Sequence, residues 1–443
     1  MNTPKHTTKI LSLLILLTLF LSLFTNVQAQ TTFNTLNITT ETTFITPNIT
    51  AETAILIDSS SGKVLYDKNA EQKMYPASTT KILTAILTLE HCRLNDVVTV
   101  PYDAIRIIPA GYAVAALQPG EELTVGQLLK LMMVHSANDA ANVLAFHISG
   151  SIESFADLMN EKLAEIGLTH THFTNPSGMH NENHYSTAHD LALLMQYGMK
   201  DNTFRNFAGL KSCTIPATNK YEERVFNTTN ELLLKDTRNV ASNYYYPYAV
   251  AGKTGYTTQA KNCLVSVANK DGFELICVVL GVGLYDNGLS AKFIESKSLF
   301  EYGYEEYTIQ KLREQGAIGT QMDVINGTKE TRSLDLLLAQ DITVLVKQSE
   351  MNQERTPTIS LTENLMAPIA QGQKIGTISY DIDGVSYTSD LVAAHSVEPS
   401  TLFPILIQIG LFLIVLVLLY FLISSGHKKG GKKRKKKKVH RLY

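Results

Sequence analysis

The chain is organised around one stretch, Pro76-Ala77-Ser78-Thr79-Thr80-Lys81, which leads directly into the apolar run Ile82–Leu89. Residues three apart on a helix are surface neighbours, with Cβ atoms about 5–6 Å apart. The Ser78 hydroxyl and the Lys81 amine are therefore expected to meet at the start of a buried helix. A lysine held against a serine in apolar surroundings loses its proton near neutral pH and can then activate the hydroxyl. The stretch predicts a serine nucleophile with a lysine base, although alone it does not identify an enzyme.

A second polar stretch, Val134-His135-Ser136-Ala137-Asn138-Asp139, lies between two helical patterns. Residues i and i+2 do not share a helix face, so Ser136 and Asn138 can face one site only from the connector between the helices. From there the Ser136 hydroxyl can relay a proton and the Asn138 amide can hold a substrate carbonyl. The alternative is that these polar residues only cap the following helix.

A third stretch, Gly252-Lys253-Thr254-Gly255-Tyr256, is placed at the end of a predicted strand. Lys253 and Thr254 supply a cation and a hydroxyl, which together suit a carboxylate. A glycine in a strand also lets another backbone approach closely. The competing interpretation is a simple turn before the strand that begins near Cys263.

These stretches lie in a frame of strands and helices. Strands at 54–58 and 63–66 flank a Ser/Gly turn, and residues 291–302 read as a closing helix. Later strands are predicted at 244–250, 263–268 and 273–281, the last two joined by the hairpin turn Asn269-Lys270-Asp271-Gly272. Helical patterns at 125–134, 140–148, 152–166 and 187–199 form an all-helical block between them. Strands at both ends of a helical segment predict an α/β domain over residues 51–304.

A second, smaller domain of short strands is predicted over residues 305–395. Its strongest signals are the apolar strand 341–346 and the alternating pattern on both sides of the turn Asp383-Gly384. Residues 30–50, which are rich in Thr and Asn, are interpreted as a spacer of weak structure before the first domain.

The N-terminus has the layout of a secretory signal peptide. Lys5 and Lys9 precede the apolar run Ile10–Phe24, and Val27-Gln28-Ala29 forms a cleavage site after residue 29. The alternative is an uncleaved N-terminal anchor, for which the apolar run is short. Both interpretations place the following chain outside the cytoplasm.

A second apolar run, Leu402–Ile423, contains no charge and is predicted to be a transmembrane helix. The Lys-rich tail at 424–443 follows it and is expected to be cytoplasmic by the positive-inside rule. Both chain ends are basic, which leaves 27 basic against 41 acidic residues between them, a net charge of about −14. We therefore expect an extracytoplasmic body on a cell membrane, no nucleic-acid partner, and a tail that contacts anionic lipid or a cytoplasmic partner, with lipid favoured.

The four cysteines, Cys92, Cys213, Cys263 and Cys277, show no metal-ligand spacing. Export permits disulfides, but the spacing does not define a pairing. Cys277 lies in an apolar strand and is expected to be an inert buried thiol. We predict no metal site and no cofactor.

Together the three stretches match S-x-x-K, S-x-N and K-T-G in order, a set found in penicillin-binding proteins and class A β-lactamases. The chain resembles the D-alanyl-D-alanine carboxypeptidases, which are low-molecular-weight penicillin-binding proteins. The resemblance also includes Asn175-Pro176-Ser177-Gly178, Ser186 to Ala192 and Tyr244 to Tyr248. It implies a β-lactamase/transpeptidase-like α/β domain, with an antiparallel sheet and a helical lobe, then a small all-β domain and a C-terminal membrane helix.

The resemblance also implies a mechanism on peptidoglycan stem peptides ending in D-Ala-D-Ala. Ser78 would attack the penultimate carbonyl with Lys81 as base, and Ser136 would relay a proton to the leaving D-alanine. Asn138 would align the substrate. Lys253 and Thr254 would bind the terminal carboxylate, and Gly255 would also belong to the substrate-binding set. The backbone N–H groups of Ser78 and Tyr256 would form the oxyanion hole. β-Lactam antibiotics would acylate Ser78 in the same way.

One departure from the family pattern follows the third motif. Lys261 and Asn262 stand where relatives usually have a glycine and an aromatic residue. The difference bears on the shape of the sheet edge and on substrate preference.

Three other functions remain open at this point. A D,D-endopeptidase that cuts cross-links would carry the same motifs. A class A β-lactamase would need an activating glutamate, usually in E-x-x-L-N, which is missing between Ser136 and Lys253. A non-catalytic wall-binding protein is disfavoured because all the reactive residues are present.

Overall fold

The structure is a computed structural model that describes residues 46–235, 244–285, 288–400 and 402–427. The predicted signal peptide, most of the spacer and most of the basic tail lie outside the described residues. In chain order the first domain consists of β1 (Thr53–Asp58), β2 (Val64–Lys68), α1 (Lys81–His91), β3 (Val97–Thr99), α2 (Tyr102–Arg106), β4 (Glu122–Thr124), α3 (Val125–Val134), α4 (Asn138–Ser149), α5 (Ile152–Glu165), α6 (Ala188–Gly198), α7 (Asn202–Ala208), β5 (Ser212–Ile215), β6 (Arg224–Asn227), β7 (Ala249–Thr257), β8 (Lys261–Lys270), β9 (Phe273–Val282) and α8 (Ala291–Glu306).

The first domain is built on a five-stranded antiparallel sheet with the order β2-β1-β9-β8-β7. The N-terminal hairpin therefore pairs with strands from the far end of the domain, as the sequence predicts. The hairpin between β8 and β9 is confirmed, and its turn residues Asp271 and Gly272 have φ of 54° and 89°. Two successive residues at positive φ match the right-handed twist of the flanking strands. β7 forms one edge of the sheet.

Helices cover both faces of this sheet. The helical lobe packs on one face through α6, which contacts β1 and β9, and α8 packs on the other face against β8 and β9. Helix α1 runs through the lobe, and its residues from Lys81 to Thr88 are all buried. An apolar run on nearly every face suits such a central position, because no side of the helix meets water. The predicted α/β class with a helical lobe is confirmed.

One detail of the sequence prediction for this domain is wrong. The strand predicted at 244–250 begins only at Ala249, because Pro247 lacks the N–H that a ladder needs and the preceding tyrosines pack elsewhere. Tyr246 stacks on Phe300 of α8 with ring centroids 5.7 Å apart. Two small two-stranded sheets, β3–β4 and β5–β6, lie on either side of the helical block at 125–199, and neither is predicted from the sequence.

The second domain is all-β, as predicted. Its strands are β10 (Tyr307–Arg313), β11 (Ile318–Asp323), β12 (Ser333–Leu338), β13 (Ile342–Lys347), β14 (Thr358–Leu361), β15 (Lys374–Ile382) and β16 (Val385–Ala393). β10 pairs with β13, and the other five form a sheet in the order β11-β12-β16-β15-β14. The turn Asp383-Gly384 joins β15 to β16 with φ of 49° and 81°, which confirms the predicted hairpin.

The described chain ends in helix α9 (Leu402–His427). Its segment Ile405–Ile423 has a mean hydropathy of 3.0, and none of it is buried against the protein. A helix of this length and composition is long enough to cross a bilayer.

All four cysteines are unpaired. Cys277 is fully buried, and burial raises the pKa of its thiol to about 12, as expected of an inert core cysteine.

Candidate active site

The Ser78 hydroxyl lies in a 3₁₀ turn, Ala77–Thr80, that continues directly into α1. This geometry brings Lys81 Nζ to 2.8 Å from Ser78 Oγ. Ser78 is partly exposed, whereas Lys81 is completely buried. The hydroxyl can thus meet a ligand, while the amine behind it is kept from water.

Two further groups bind the Lys81 amine, and both can only accept hydrogen bonds. Nζ donates to Asn138 Oδ1 over 2.8 Å and to the Ser177 carbonyl over 2.6 Å. The Asn138 amide cannot turn round, because its Nδ2 donates to the carbonyl oxygen of Ala113. A neutral amine has two N–H groups and one lone pair. With both N–H groups committed, the lone pair is left for the Ser78 hydroxyl proton.

Burial is the main reason that the pKa of Lys81 lies well below its usual value, and the nearby charge of Lys253 lowers it further. The Asp139 carboxylate opposes both effects. It does not cancel them, because it is held away by backbone N–H groups of Ala115 and Leu117. Burial and the charge of Lys253 both favour the neutral form of Lys81.

The second motif is divided between a connector and a helix. Ser136 lies on the connector after α3 with φ of 60°, a conformation that costs a non-glycine residue on the order of 1–3 kcal/mol. Asn138 is instead the first residue of α4, whose N-cap is Ala137, and that cap makes no side-chain bond. Simple capping therefore does not explain these polar residues. Asn138 Oδ1 accepts from Lys81 and Nδ2 donates one N–H to the Ala113 carbonyl, and the side chain also lines the cleft.

Lys253 lies behind Ser136. Its side chain is almost fully buried, and Nζ donates to Ser136 Oγ over 2.8 Å and to the Thr254 carbonyl over 2.9 Å. Burial, with a contribution from the charge of Lys292, lowers the pKa of Lys253 to about 7. The K-T-G motif lies within β7 rather than at the strand end predicted from the sequence, because the strand starts later.

Gly255 of this motif is required because the backbone of the Ser78 turn lies very close to it. A Cβ at Gly255 would lie 3.0 Å from the Ser78 nitrogen and 2.9 Å from the Pro76 carbonyl. Its absence lets the edge strand β7 lie against the Ser78 turn. This places Tyr256 beside Ser78, where both line the same cleft.

The cleft has a volume of about 590 Å³. Six of the predicted site residues line it: Ser78, Ser136, Asn138, Thr254, Gly255 and Tyr256. Lys81 and Lys253 lie buried behind this surface. Among the described residues that line the cleft, none is acidic, so a glutamate of the β-lactamase type is not found there. In the same described ranges no three His, Cys, Asp or Glu side chains come together as a metal site.

A loop for which the sequence predicted no role supports the Ser78 turn. Ser177 supplies its carbonyl to Lys81, and Pro176 supplies its carbonyl to Thr84 of α1. The Asn175 side chain holds the loop by accepting from the N–H groups of Ser177 and Gly178. In the sequence, residues 175–178 stood out only because they resemble the corresponding stretch of the carboxypeptidases. That resemblance did not show which residues the loop contacts.

Three other residues at the site gave no usable signal in the sequence. Thr229 Oγ1 lies 2.5 Å from Thr254 Oγ1, and Lys292 lines the cleft. His184 Nδ1 accepts from the Thr174 N–H, so Nε2 carries the proton and donates to Thr80 Oγ1 over 2.8 Å. Burial lowers the pKa of His184 to about 3, which keeps it neutral.

Comparisons with known proteins agree over most of the chain. A family model described as D-alanyl-D-alanine carboxypeptidase matches residues 40–283, and one for the penicillin-binding protein 5 C-terminal domain matches residues 307–399. D-alanyl-D-alanine carboxypeptidase DacF of Bacillus subtilis is 32% identical, with 77% of this chain and 84% of that protein covered. DacC of Escherichia coli is 33% identical over 79% of this chain and 84% of its own length.

A solved structure shows the same similarity in three dimensions. Penicillin-binding protein 5 from Haemophilus influenzae superposes with a TM-score of 0.62 at 30% identity, covering 80% of this chain and 99% of that one.

Proposed function

The chain belongs to the D-alanyl-D-alanine carboxypeptidase family of serine enzymes, and we propose that it is a membrane-anchored member that works through an acyl-enzyme on Ser78. Its substrate would be the peptidoglycan stem pentapeptide, from which it removes the terminal D-alanine. The observation that carries the proposal is the pairing of Ser78 Oγ with a buried Lys81 whose N–H groups point at two carbonyl oxygens.

In the first step the Ser78 oxygen attacks the carbonyl carbon of the penultimate D-alanine. The hydroxyl proton passes to the lone pair of Lys81, and the carbonyl oxygen becomes an oxyanion. The N–H groups of Ser78 and Tyr256 would bind this oxyanion, each contributing on the order of 3–4 kcal/mol. Asn138 would position Lys81 through Oδ1 and align the substrate with the second N–H of its amide, since the side chain also lines the cleft.

In the second step the C–N bond breaks and the leaving nitrogen needs a proton. Ser136 Oγ lines the cleft and accepts a hydrogen bond from Lys253, so it can pass on its own proton and be resupplied by Lys253. D-Alanine departs, and the acyl group remains on Ser78 as an ester. Water then attacks the ester, its proton returns to Lys253 through Ser136, and Lys81 gives its proton back to the departing Ser78 oxygen, which regenerates the free serine. β-Lactams would acylate the same oxygen, with slow release because the leaving group stays attached.

Labelling with a fluorescent penicillin tests the nucleophile. The intact protein should be labelled covalently, Ser78→Ala should not be, and Ser298→Ala, a change of an exposed serine on α8, should be labelled normally. A label that survives Ser78→Ala would refute the acyl-enzyme on this residue.

Product analysis separates trimming from cross-link cleavage. Incubation with a pentapeptide ending in D-Ala-D-Ala should release free D-alanine. A cross-linked dimeric muropeptide should remain intact, and its efficient cleavage would instead support the endopeptidase alternative.

We also propose that α9 anchors the enzyme in the bacterial cell membrane with the catalytic domain outside. The support is the apolar segment Ile405–Ile423 and the Lys-rich sequence that follows it. A protease added to intact spheroplasts should digest the domains but spare an epitope tag at the C-terminus. Digestion of the tag without lysis would contradict this orientation.

A further inference from the structure

Two apolar residues lie exposed on neighbouring segments at one end of the second, all-β domain. Ile325 is 49% exposed and Met366 is 50% exposed. The two residues are partners in a parallel bridge. The Ile325 N–H donates to the Leu365 carbonyl over 2.8 Å, and the Ile325 carbonyl accepts from the Ala367 N–H over 2.9 Å. Ile325 and Met366 are called the apolar pair below.

The core of the β domain is already filled beside the apolar pair. Val324, Leu365 and Ala367, which flank the pair in the sequence, are buried in that core. Because successive side chains of an extended chain point to opposite sides, Ile325 and Met366 are directed outward. A single exposed apolar residue needs no explanation, but two at bridged positions form a surface that favours an apolar partner.

The chain brings the apolar pair close to the start of α9. The Ser400 N–H donates to the carbonyl of Asn326, the residue after Ile325, over 2.7 Å. Ser400 is only two positions before Leu402, where α9 begins, and two residues span at most about 7 Å. The apolar segment Ile405–Ile423 starts three helical residues later, which adds about 4.5 Å.

These lengths are comparable with the thickness of a lipid headgroup layer. A bilayer is about 40–45 Å thick in total with a hydrocarbon core of about 30 Å, so each headgroup layer measures about 5–8 Å. The loop that is bonded to Ser400 therefore cannot stand clear of a membrane that holds α9. The charged residues that flank this loop in the sequence are mixed in sign, Lys329 and Arg332 against Glu330 and Glu398. Apolar area, and not net charge, is thus the basis for a contact with lipid.

We propose that the apolar pair inserts into the outer headgroup region of the membrane that holds α9 and gives the β domain a second point of attachment beside the helix. The inference rests on the proposed anchoring of the chain by α9. Two points of attachment limit how far the β domain can tilt about its connection to α9. The catalytic domain tilts with it, because Lys63 and Asp383 join the two domains.

The sequence contains no tryptophan, so one introduced residue gives an unmixed fluorescence signal. The full chain is reconstituted into phosphatidylcholine vesicles whose acyl chains carry bromine, a contact quencher of tryptophan, near the headgroup end. Ile325→Trp and Met366→Trp should each lose at least about half of their fluorescence relative to vesicles without bromine, because both positions lie at the interface. Ile318→Trp is the matched control, since Ile318 is 56% exposed but lies at the opposite end of β11 from Asp323, about 17 Å along the strand. It should not be quenched, and equal quenching of all three variants would overturn the specific contact.

A tryptophan in α9 separates failure of this contact from failure of the anchor. Ile414→Trp lies at the middle of the segment Ile405–Ile423 and should be quenched most by bromine near the methyl end of the acyl chains. Quenching of Ile414→Trp without quenching at positions 325 and 366 would overturn the contact of the apolar pair and leave the anchoring intact. No quenching of Ile414→Trp would overturn the anchoring itself, and with it the inference.

A second measurement avoids an added tryptophan, which itself prefers the interface. Phosphatidylcholine with a photoreactive group near the headgroup should label residues 325–328 and 365–368 of the unchanged protein, as located by mass spectrometry. The double variant Ile325→Ser/Met366→Ser should be labelled several-fold less there, while a fluorescent penicillin still labels Ser78 at the unchanged rate and so reports an intact fold. Equal lipid labelling of the two proteins would overturn the role of the apolar pair.

Discussion

Lys81 can act as a base only when it is neutral, and Lys253 helps to keep it so. Burial is the larger cause of the lowered pKa of Lys81, and the charge of Lys253 is the second. Because activity needs neutral Lys81, the rate of acylation should fall as the pH drops through its pKa. Any change that removes the repulsion from Lys253 raises the pKa of Lys81. The acid limb of the pH–rate profile, where acylation slows because Lys81 becomes protonated, then moves to higher pH.

Lys253→Met should therefore shift the acid limb of β-lactam acylation upward by about one pH unit, which corresponds to ~1.4 kcal/mol. The measurement is the second-order acylation rate constant against pH, taken on the residual activity of the variant. Lys297→Met removes the same charge from α8, where the lysine bonds the Tyr245 carbonyl, and should leave the limb in place. A limb that stays fixed in Lys253→Met would mean that burial alone sets the pKa of Lys81.

At the scale of elements, the Ser78 turn depends on the loop 175–178 that packs against it. Gly178 has φ of 80°, and a Cβ there would lie 1.8 Å from the Ala77 carbonyl oxygen. No small shift relieves an overlap with backbone. The Ser78 turn and the loop 175–178 therefore pack against each other at Gly178, and the position of Ser78 depends on this contact.

Gly178→Ala should be strongly destabilising and should slow acylation by β-lactams. Gly150→Ala is a matched control, because Gly150 has φ of 79° and a methyl group there would meet nothing within 4 Å. The control should cost about 1 kcal/mol for the positive φ alone, and Gly178→Ala at least about 3 kcal/mol. Thermal unfolding and the acylation rate are the readouts. Similar unfolding temperatures for both variants would show that the turn and loop separate at little cost.

At the scale of the whole molecule, the β domain is joined to the catalytic domain by more than the chain connection between α8 and β10. Lys63 follows the first turn of the N-terminal sheet, and its Nζ lies 2.7 Å from Asp383 Oδ2 in the β15–β16 turn. The bond to Lys63 is the main cause that lowers the pKa of Asp383. The pKa of Asp383 in the folded protein lies below the value of 3.8 for the unfolded chain. The ion pair therefore stabilises the folded state above pH 3.8, and this stabilisation is lost as the pH falls through the folded-state pKa.

Asp383→Asn should remove this pH-dependent contribution without disturbing the turn, because asparagine tolerates positive φ. Asp383 is about half exposed, so solvent screening limits the loss to at most about 1 kcal/mol at pH 7. Urea unfolding at pH 7 and at pH 3 gives the comparison, with Asp381→Asn as an exposed control on the adjoining strand β15. The difference between the two variants should be larger at pH 7 than at pH 3; a difference of the same size at both pH values would assign the effect to something other than the charge.

Across these scales, the sequence by itself determined what depends on local spacing. The α/β class, the hairpins at Asp271-Gly272 and Asp383-Gly384, and the contact of Ser78 with Lys81 follow from helical and strand periodicity or from turn chemistry. The same reasoning placed a strand wrongly at 244–250. There the tyrosine Tyr246 packs on α8, and the residues before Ala249 do not pair with a neighbouring strand. Local preference yields to packing in such places.

Only the tertiary structure decided which groups complete the site. It buries Lys253 behind Ser136, gives Lys81 the carbonyl of Ser177, and brings Lys292 to the cleft through Asn262. Each of these contacts joins residues that are far apart in the chain. Their meeting depends on how the sheet edge, the loop and two helices pack together, and spacing within the sequence carries no record of that packing.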